Sequence, residues 1–158
     1  MIQVRPARAG EEAELAEVGL ASWRKCIKPH VNDAVAARIE GLNPFIPFIR
    51  QLGPQILVAE YQGKAAGIGA SEHGDNQISD IWLAPEFEGR GAGSLLIRAL
   101  ERQIADRGFA EAFIDVTAAN GRALGLYRHL GYRDVWQRSE FDPILEATLE
   151  KIRLKKIF

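Results

Sequence analysis

Asp80-Ile81-Trp82-Leu83-Ala84-Pro85-Glu86-Phe87-Glu88-Gly89-Arg90-Gly91-Ala92-Gly93-Ser94-Leu95-Leu96-Ile97 is the stretch whose reading decides the fold. An apolar run comes first, then a short polar turn, a glycine-rich loop and the start of a helix. Gly89, Gly91 and Gly93 occupy alternate positions. Without a Cβ, glycine lets the backbone take positive φ and lets a ligand approach closely. The helix that follows aims its free N–H groups and the positive end of its dipole back at the loop. That is an anion site, and phosphate is the usual anion. The question the stretch poses is which phosphate-bearing ligand it holds.

Upstream of the loop the pattern is a β-meander. Gln55–Tyr61 reads as a strand, Gln62-Gly63-Lys64 as a hairpin turn, and Ala65–His73 as the partner strand. Gly74-Asp75-Asn76 is the next turn, and Gln77–Leu83 the third strand, leading into the loop. Downstream, a helix over about Gly91–Arg107 buries Leu95, Leu96, Leu100 and Ile104, and Gly108 caps it. Ala112–Val116 is a strand reached across that helix. A strand, a crossover helix and a strand imply parallel or near-parallel pairing and a right-handed connection. Thr117 and Asn120 start a further helix, which ends at Gly131. Tyr132–Trp136 is a strand. Ala147–Lys155 reads as the last one, with Leu149 out of phase with Ile152 and Leu154; a β-bulge or a short helix would explain the mismatch.

At the N-terminus, Ile2–Ala7 is a short strand. An amphipathic helix follows to about Lys28, with Leu15, Val18, Trp23 and Ile27 at helical spacing and Pro29 as its stop. Asn32-Asp33 caps a second helix carrying Val35, Ile39 and Leu42. Phe45-Ile46-Pro47-Phe48-Ile49 is aromatic and interrupted by proline. It reads either as a loop or short helical turn closing the core, or as one wall of an acceptor pocket. The order is a strand, two helices, a meander, then helix, strand, helix and strands. This is an α+β arrangement, a mixed sheet with helices on both faces. It is not a doubly wound dinucleotide fold, in which strands and helices alternate from the start.

At 158 residues and 47% hydrophobic content, the expectation is one domain over 1–158 with a real core. Twenty Lys and Arg against 21 Asp and Glu give no strong field toward nucleic acid or a membrane. No segment approaches the roughly 20 apolar residues of a membrane span, and the N-terminus does not read as a signal peptide. A soluble, cytoplasmic protein is expected. The single cysteine, Cys26, allows no internal disulfide and reads as a small apolar residue near a helix end. The histidines at 30, 73 and 129 lack ligand spacing, so no metal is expected.

Two motifs carry a resemblance. Leu83–Leu96 is similar to the coenzyme A loop of the GNAT superfamily of N-acetyltransferases, whose core is Gln/Arg-x-x-Gly-x-Gly/Ala. Asn120-Gly121-Arg122-Ala123-Leu124-Gly125-Leu126-Tyr127-Arg128-His129-Leu130-Gly131-Tyr132 resembles that family's Asn-x-x-Ala-x-x-Leu/Phe-Tyr-x-x-x-Gly-Phe/Tyr segment. Their order and separation match as well, and the resemblance runs from Ile2 to about Trp136. It implies a central, mostly antiparallel sheet splayed at the coenzyme A site. It also implies acetyl-CoA as cosubstrate and direct transfer, in a ternary complex, to a primary amine of a small molecule or peptide. A homodimer is compatible with it, and the sequence does not decide that. One departure is Glu88, where the family usually has Gln or Arg. A carboxylate near a pyrophosphate is unfavourable unless it turns outward, so Glu88 is expected to be solvated, beside Arg90.

Acetyl transfer needs a held donor, a neutral amine and a proton for the leaving thiolate. By the resemblance, Glu88, Gly89, Arg90, Gly91, Ala92, Gly93 and Ser94 cradle the pyrophosphate through main-chain N–H groups, and Leu83 pairs with the pantetheine arm. Asn120 bonds that arm and also suits an N-cap. Tyr127, two helical turns further on, reaches the sulfur as general acid. Arg122 and Arg128 would meet the 3′-phosphate or remain in solvent. The family often places a carboxylate or histidine on the meander strand at positions matching Gln77 or Ser79, and neither of these residues can act as a base. Glu72 lies opposite Ser79 if Asp75-Asn76 is a two-residue turn. Asp80 faces the other way by strand parity unless a bulge intervenes. Both are candidate bases, and having no dedicated base is the third option. The acceptor stays open between a polyamine, for which Glu72, Asp75 and Asp80 would serve, a protein N-terminus and an amino acid. The rival readings are a non-catalytic acyl-CoA-binding or regulatory module, and a nucleotide-binding module. The latter lacks Gly-Lys-Ser/Thr.

Overall fold

A computed structural model describes residues 1–158. The chain runs β1 (Ile2–Pro6), α1 (Glu12–Cys26), α2 (Asp33–Leu42), α3 (Phe45–Leu52), β2 (Leu57–Tyr61), β3 (Lys64–Ala70), β4 (Gln77–Ile78) and β5 (Asp80–Leu83). It continues through α4 (Ala92–Asp106), β6 (Glu111–Thr117), α5 (Gly121–His129), β7 (Arg133–Asp142) and β8 (Ala147–Ile157). No helix is long and apolar enough to cross a membrane.

The strands form two four-stranded sheets, ordered β1-β2-β3-β5 and β4-β6-β8-β7. All pairs are antiparallel except β4 with β6. Alternate residues of one strand feed two cores, as the period-2 pleat requires. Leu57 and Ala59 of β2 join a cluster with Leu96, Leu100 and Ile114 under α4 and α5. Val58, with Ile56 just before the strand, joins Leu15, Trp23, Ile39 and Phe45 under α1–α3. Helices therefore cover both faces, as expected.

Four sequence readings change. The expected strand Gln77–Leu83 is two strands, because it breaks at Ser79. Phe45–Leu52 is a full helix. Pro47 is its third residue, and the first turn of a helix has no internal acceptor for its N–H groups, so the ring costs no bond. The buried stripe of α4 includes Ile97, while Leu95 is only partly buried. In β8 the register is continuous; the bulge sits in its partner, between Asp134 and Trp136 of β7. Leu149 is out of phase because it packs on the α1–α3 core, while Ile152 and Leu154 face the other core.

Candidate active site

The break at Ser79 creates the site. Ser79 N–H donates to Ala70 C=O at 2.9 Å, and Asp80 is also paired with Ala70. Two residues thus oppose one, a β-bulge that re-aims side chains. Before it, Gln77 and Ile78 pair in parallel with Phe113 and Ile114 of β6. After it, β5 pairs with β3 alone. The β5 edge that faces β6 is left without ladder partners, and the two sheets part into a V. Leu83 on one arm and Val116 and Thr117 on the other line the resulting cleft, which has a volume of about 650 Å³.

At one end of the cleft stands the glycine loop. Gly89 and Gly91 have φ of +76° and +90°, values only glycine takes at little cost. Gly91 is the N-cap of α4, with no side-chain cap, and Gly91, Ala92, Gly93 and Ser94 line the cleft. The first-turn N–H groups of α4 are the donors a phosphate would use. A Cβ on Gly93 would lie 2.8 Å from Leu126 Cδ2 and 3.2 Å from Leu83 Cδ1. Its absence lets α4 approach α5 and the end of β5. Asn120 caps α5, its side chain accepting from Ala123 N–H at 3.3 Å, and it too lines the cleft.

Between the arms lies Tyr127 of α5, only 5% exposed. Burial pushes its phenol well above the ordinary tyrosine pKa, and the nearby Cys26 and Asp80 push the same way. It is therefore protonated at neutral pH. Asp80, re-aimed by the bulge, shares the cleft with Tyr127, Ser79 and Glu72, so the parity expectation that it faces away does not hold. Desolvation is the main cause that raises its pKa to about 6, against the opposing hydrogen bonds from Trp82 and Ser79. Trp82 Nε1–H donates to Asp80 Oδ1 at 3.1 Å and fixes the carboxylate. Glu72 is more exposed and lies 3.1 Å from His73 Nε2. Its backbone N–H donates to Ser79 Oγ at 2.9 Å, so the two residues are neighbours, although the turn spans more than Asp75-Asn76.

A sequence model described as the acetyltransferase (GNAT) family matches residues 19–132. The chain belongs to the GNAT acetyltransferase family. Solved structures with the same fold extend over its whole length. A GCN5-related N-acetyltransferase from Rhodopseudomonas palustris aligns over 99% of this chain and 95% of its own, at 22% identity and a TM-score of 0.80. The PaiA N-acetyltransferase of Thermoplasma acidophilum, solved in complex with coenzyme A, covers 100% and 99% at 16% identity and a TM-score of 0.72. The ribosomal-protein-S18-alanine N-acetyltransferase of Escherichia coli covers 99% and 94% at 17% identity and a TM-score of 0.71.

Within this GNAT domain, Glu88 departs most from expectation. Its side chain is 6% exposed, not solvated, and its Oε2 lies 2.8 Å from both Lys25 Nζ and Arg122 Nε. Arg90 is not its partner; its guanidinium lies 5.6 Å from the ring centroids of both Tyr61 and Phe87. Arg128, the other arginine considered for the phosphate, pairs with Asp134 at 2.7 Å. Glu88 thus ties the end of α1 and the start of α5 to the glycine loop, while consuming positive charge at the anion site. In Glu88→Gln the amide oxygen still accepts from Arg122, but the negative charge is gone. Removing it is worth on the order of 1 kcal/mol to a bound polyanion, about fivefold. The expected result is a Kd for acetyl-CoA lowered by about that factor at low salt, with the gain shrinking as salt rises. Titration calorimetry at two ionic strengths reads it, and weaker binding at both would contradict the charge argument.

Several residues in or beside the cleft carried no sequence signal as site residues. Lys25 meets Glu88 from 63 positions away. Trp23 falls on the stripe that marks α1 as amphipathic and Cys26 reads as a small apolar residue near the helix end, so neither stands out as a site residue. Lys151 and Asp142, 3.2 Å apart in the cleft wall, meet only because β7 and β8 form a hairpin.

Proposed function

We propose that this GNAT protein transfers the acetyl group of acetyl-CoA directly to a primary amine, with donor and acceptor bound together in the cleft. One observation carries the reading. A single cleft joins a glycine-loop anion site, a buried protonated tyrosine and a carboxylate whose pKa is raised to about 6. The donor fits what the chain offers. The loop from Glu88 to Ser94 and the start of α4 take the phosphates through N–H groups. The unpaired β5 edge at Leu83 takes the amide-bearing arm as an added strand would.

Acetyl-CoA supplies a thioester carbonyl open to attack. Asp80 accepts the proton that the amine must lose. The amine nitrogen then bonds the carbonyl carbon as the carbon–sulfur bond breaks. Tyr127 gives its proton to the departing sulfur and regains one from the nitrogen, which sheds its second proton as the amide forms, and Asp80 passes its proton to solvent. A base works best with a pKa near the operating pH, and Asp80 lies closer to it than an ordinary carboxylate. Glu72, the other candidate, raises the Asp80 pKa by its charge and is the lesser choice as base. Cys26 also lines the cleft, but burial first and the charge of Glu88 second raise its pKa, so it stays a thiol, which opposes an acyl-enzyme.

Melting curves with acetyl-CoA and with ATP test the donor. Acetyl-CoA at 100 times its Kd is worth about 2.7 kcal/mol of added stability, a shift of several degrees. ATP is expected to give a much smaller one. No shift with acetyl-CoA would sink this reading, and an equal shift with ATP would favour a nucleotide-binding module.

A further inference from the structure

On the α1–α3 side of the sheet the cleft is walled by four aromatic side chains, Trp23, Phe45, Phe48 and Trp82. Phe45 meets Trp82 edge to face, with ring centroids 5.0 Å apart, so the wall is a packed surface. The connection between β7 and β8 adds Ile144 and Leu145.

The charges in this cleft are unequally free. Asp115 is held by Arg153 at 2.8 and 3.0 Å, Asp142 by Lys151 at 3.2 Å, and Glu88 by Lys25 and Arg122. Asp80 and Glu72, side by side at one place, are the cleft carboxylates without a Lys or Arg partner. Asp75, the third acidic residue a polyamine would use, does not line the cleft. Its carboxylate accepts from Gln77 N–H at 2.9 Å. One ammonium group therefore finds a counter-charge, and a second, further along the molecule, meets aromatic rings or neutralised pairs.

The rim is also bridged. Arg38 of α2 donates to the carbonyl of Ile144 at 2.9 Å and to that of Leu145, and lies 3.6 Å from Glu146. It ties α2 to the β7–β8 connection, and Leu145 is itself buried. The tie holds Ile144 and Leu145 in the cleft wall at the aromatic end, which favours a small body there over an extended polypeptide.

Resting on the acetyltransferase reading above, we infer that the acceptor is a compact primary amine on an aromatic or branched apolar body. It carries one ammonium, lodged at Asp80 and Glu72, and buries its body against Trp23, Phe45, Phe48 and Trp82. The acceptor is neither a polyamine nor a polypeptide terminus.

Steady-state kinetics on the full chain with phenethylamine, isoamylamine, spermidine and an octapeptide with a free N-terminus test this. The expected kcat/KM for phenethylamine or isoamylamine exceeds those for spermidine and the peptide by about tenfold or more, the worth of one well-packed ring. Phe48 is only partly buried, so Phe48→Ala is expected to fold. It should raise the KM for phenethylamine about tenfold while leaving the KM for acetyl-CoA and the kcat near their original values. Spermidine or the peptide matching or exceeding the apolar amines overturns the inference, as does an unchanged KM for phenethylamine in Phe48→Ala. If acetyl-CoA shifts the melting curve but neither apolar amine is acetylated, the acceptor class is wrong and the donor site stands. If acetyl-CoA gives no shift, both readings fall.

Discussion

Tyr127→Phe is expected to lower kcat by about 10²–10⁴, the usual worth of a positioned general acid. Its Kd for acetyl-CoA should stay within about twofold, because the glycine loop proposed to take the phosphates lies at the other end of the cleft. The fold should be little affected. The ring packs in the core under α4 and α5, edge to face with Tyr132 at 6.4 Å between centroids, and phenylalanine keeps that packing. Steady-state rates, calorimetric donor binding and a melting curve check the three parts together. An unchanged kcat would remove Tyr127 from the chemistry and leave it as a core aromatic.

Asp80→Asn is the second large effect, and it has opposite signs in activity and stability. The wild-type kcat/KM should rise with pH through about 6 as Asp80 loses its proton. The variant should lose that limb and about 10²–10³ in rate. For stability, a raised carboxyl pKa means that folding favours the protonated form. The stability this group contributes is fully present below its unfolded pKa, near 3.9, and is lost as pH rises through about 6. At pH 8 the ionised group costs up to about 3 kcal/mol, an upper bound set by the shift. Asparagine carries no such cost and can still accept from Trp82. The variant should therefore melt several degrees above wild type at pH 8, with the gap closing toward pH 4. A variant less stable than wild type at pH 8 would contradict the desolvated carboxylate, while retention of the limb near pH 6 would move the base elsewhere. Stability given up at one residue in exchange for reactivity is common at catalytic sites.

Much of the fold was legible because its signals are local. The glycine loop, the two helical stripes flanking it and the Asn120–Tyr132 segment each fix their own conformation within a few residues. What failed was non-local. The break at Ser79 depends on a choice between two neighbours, β3 and β6, and no residue near 79 announces it. Once it is known, Asp80 moves from the far face into the cleft. Glu88 was misplaced for the same reason. Its partners come from α1 and α5, so the only cation in view from the sequence was Arg90, which instead lies against aromatic rings. The proline in Phe45–Ile49 misled because a first-turn proline and a helix-breaking proline look alike until the helix start is known. The aromatic wall was half-seen: Phe45 and Phe48 were candidates, but Trp23 and Trp82 join them only across the core.

The central claim is transfer from the thioester to an amine without an acetylated enzyme. Its most direct test counts three species in one reaction: free thiol, acetylated phenethylamine and protein mass, measured with and without the amine. The account predicts thiol release that depends on the amine, one acetylated amine per thiol, and a protein mass that never gains an acetyl group. Thiol release without the amine, accompanied by an acetyl group on the protein at Cys26, would contradict it.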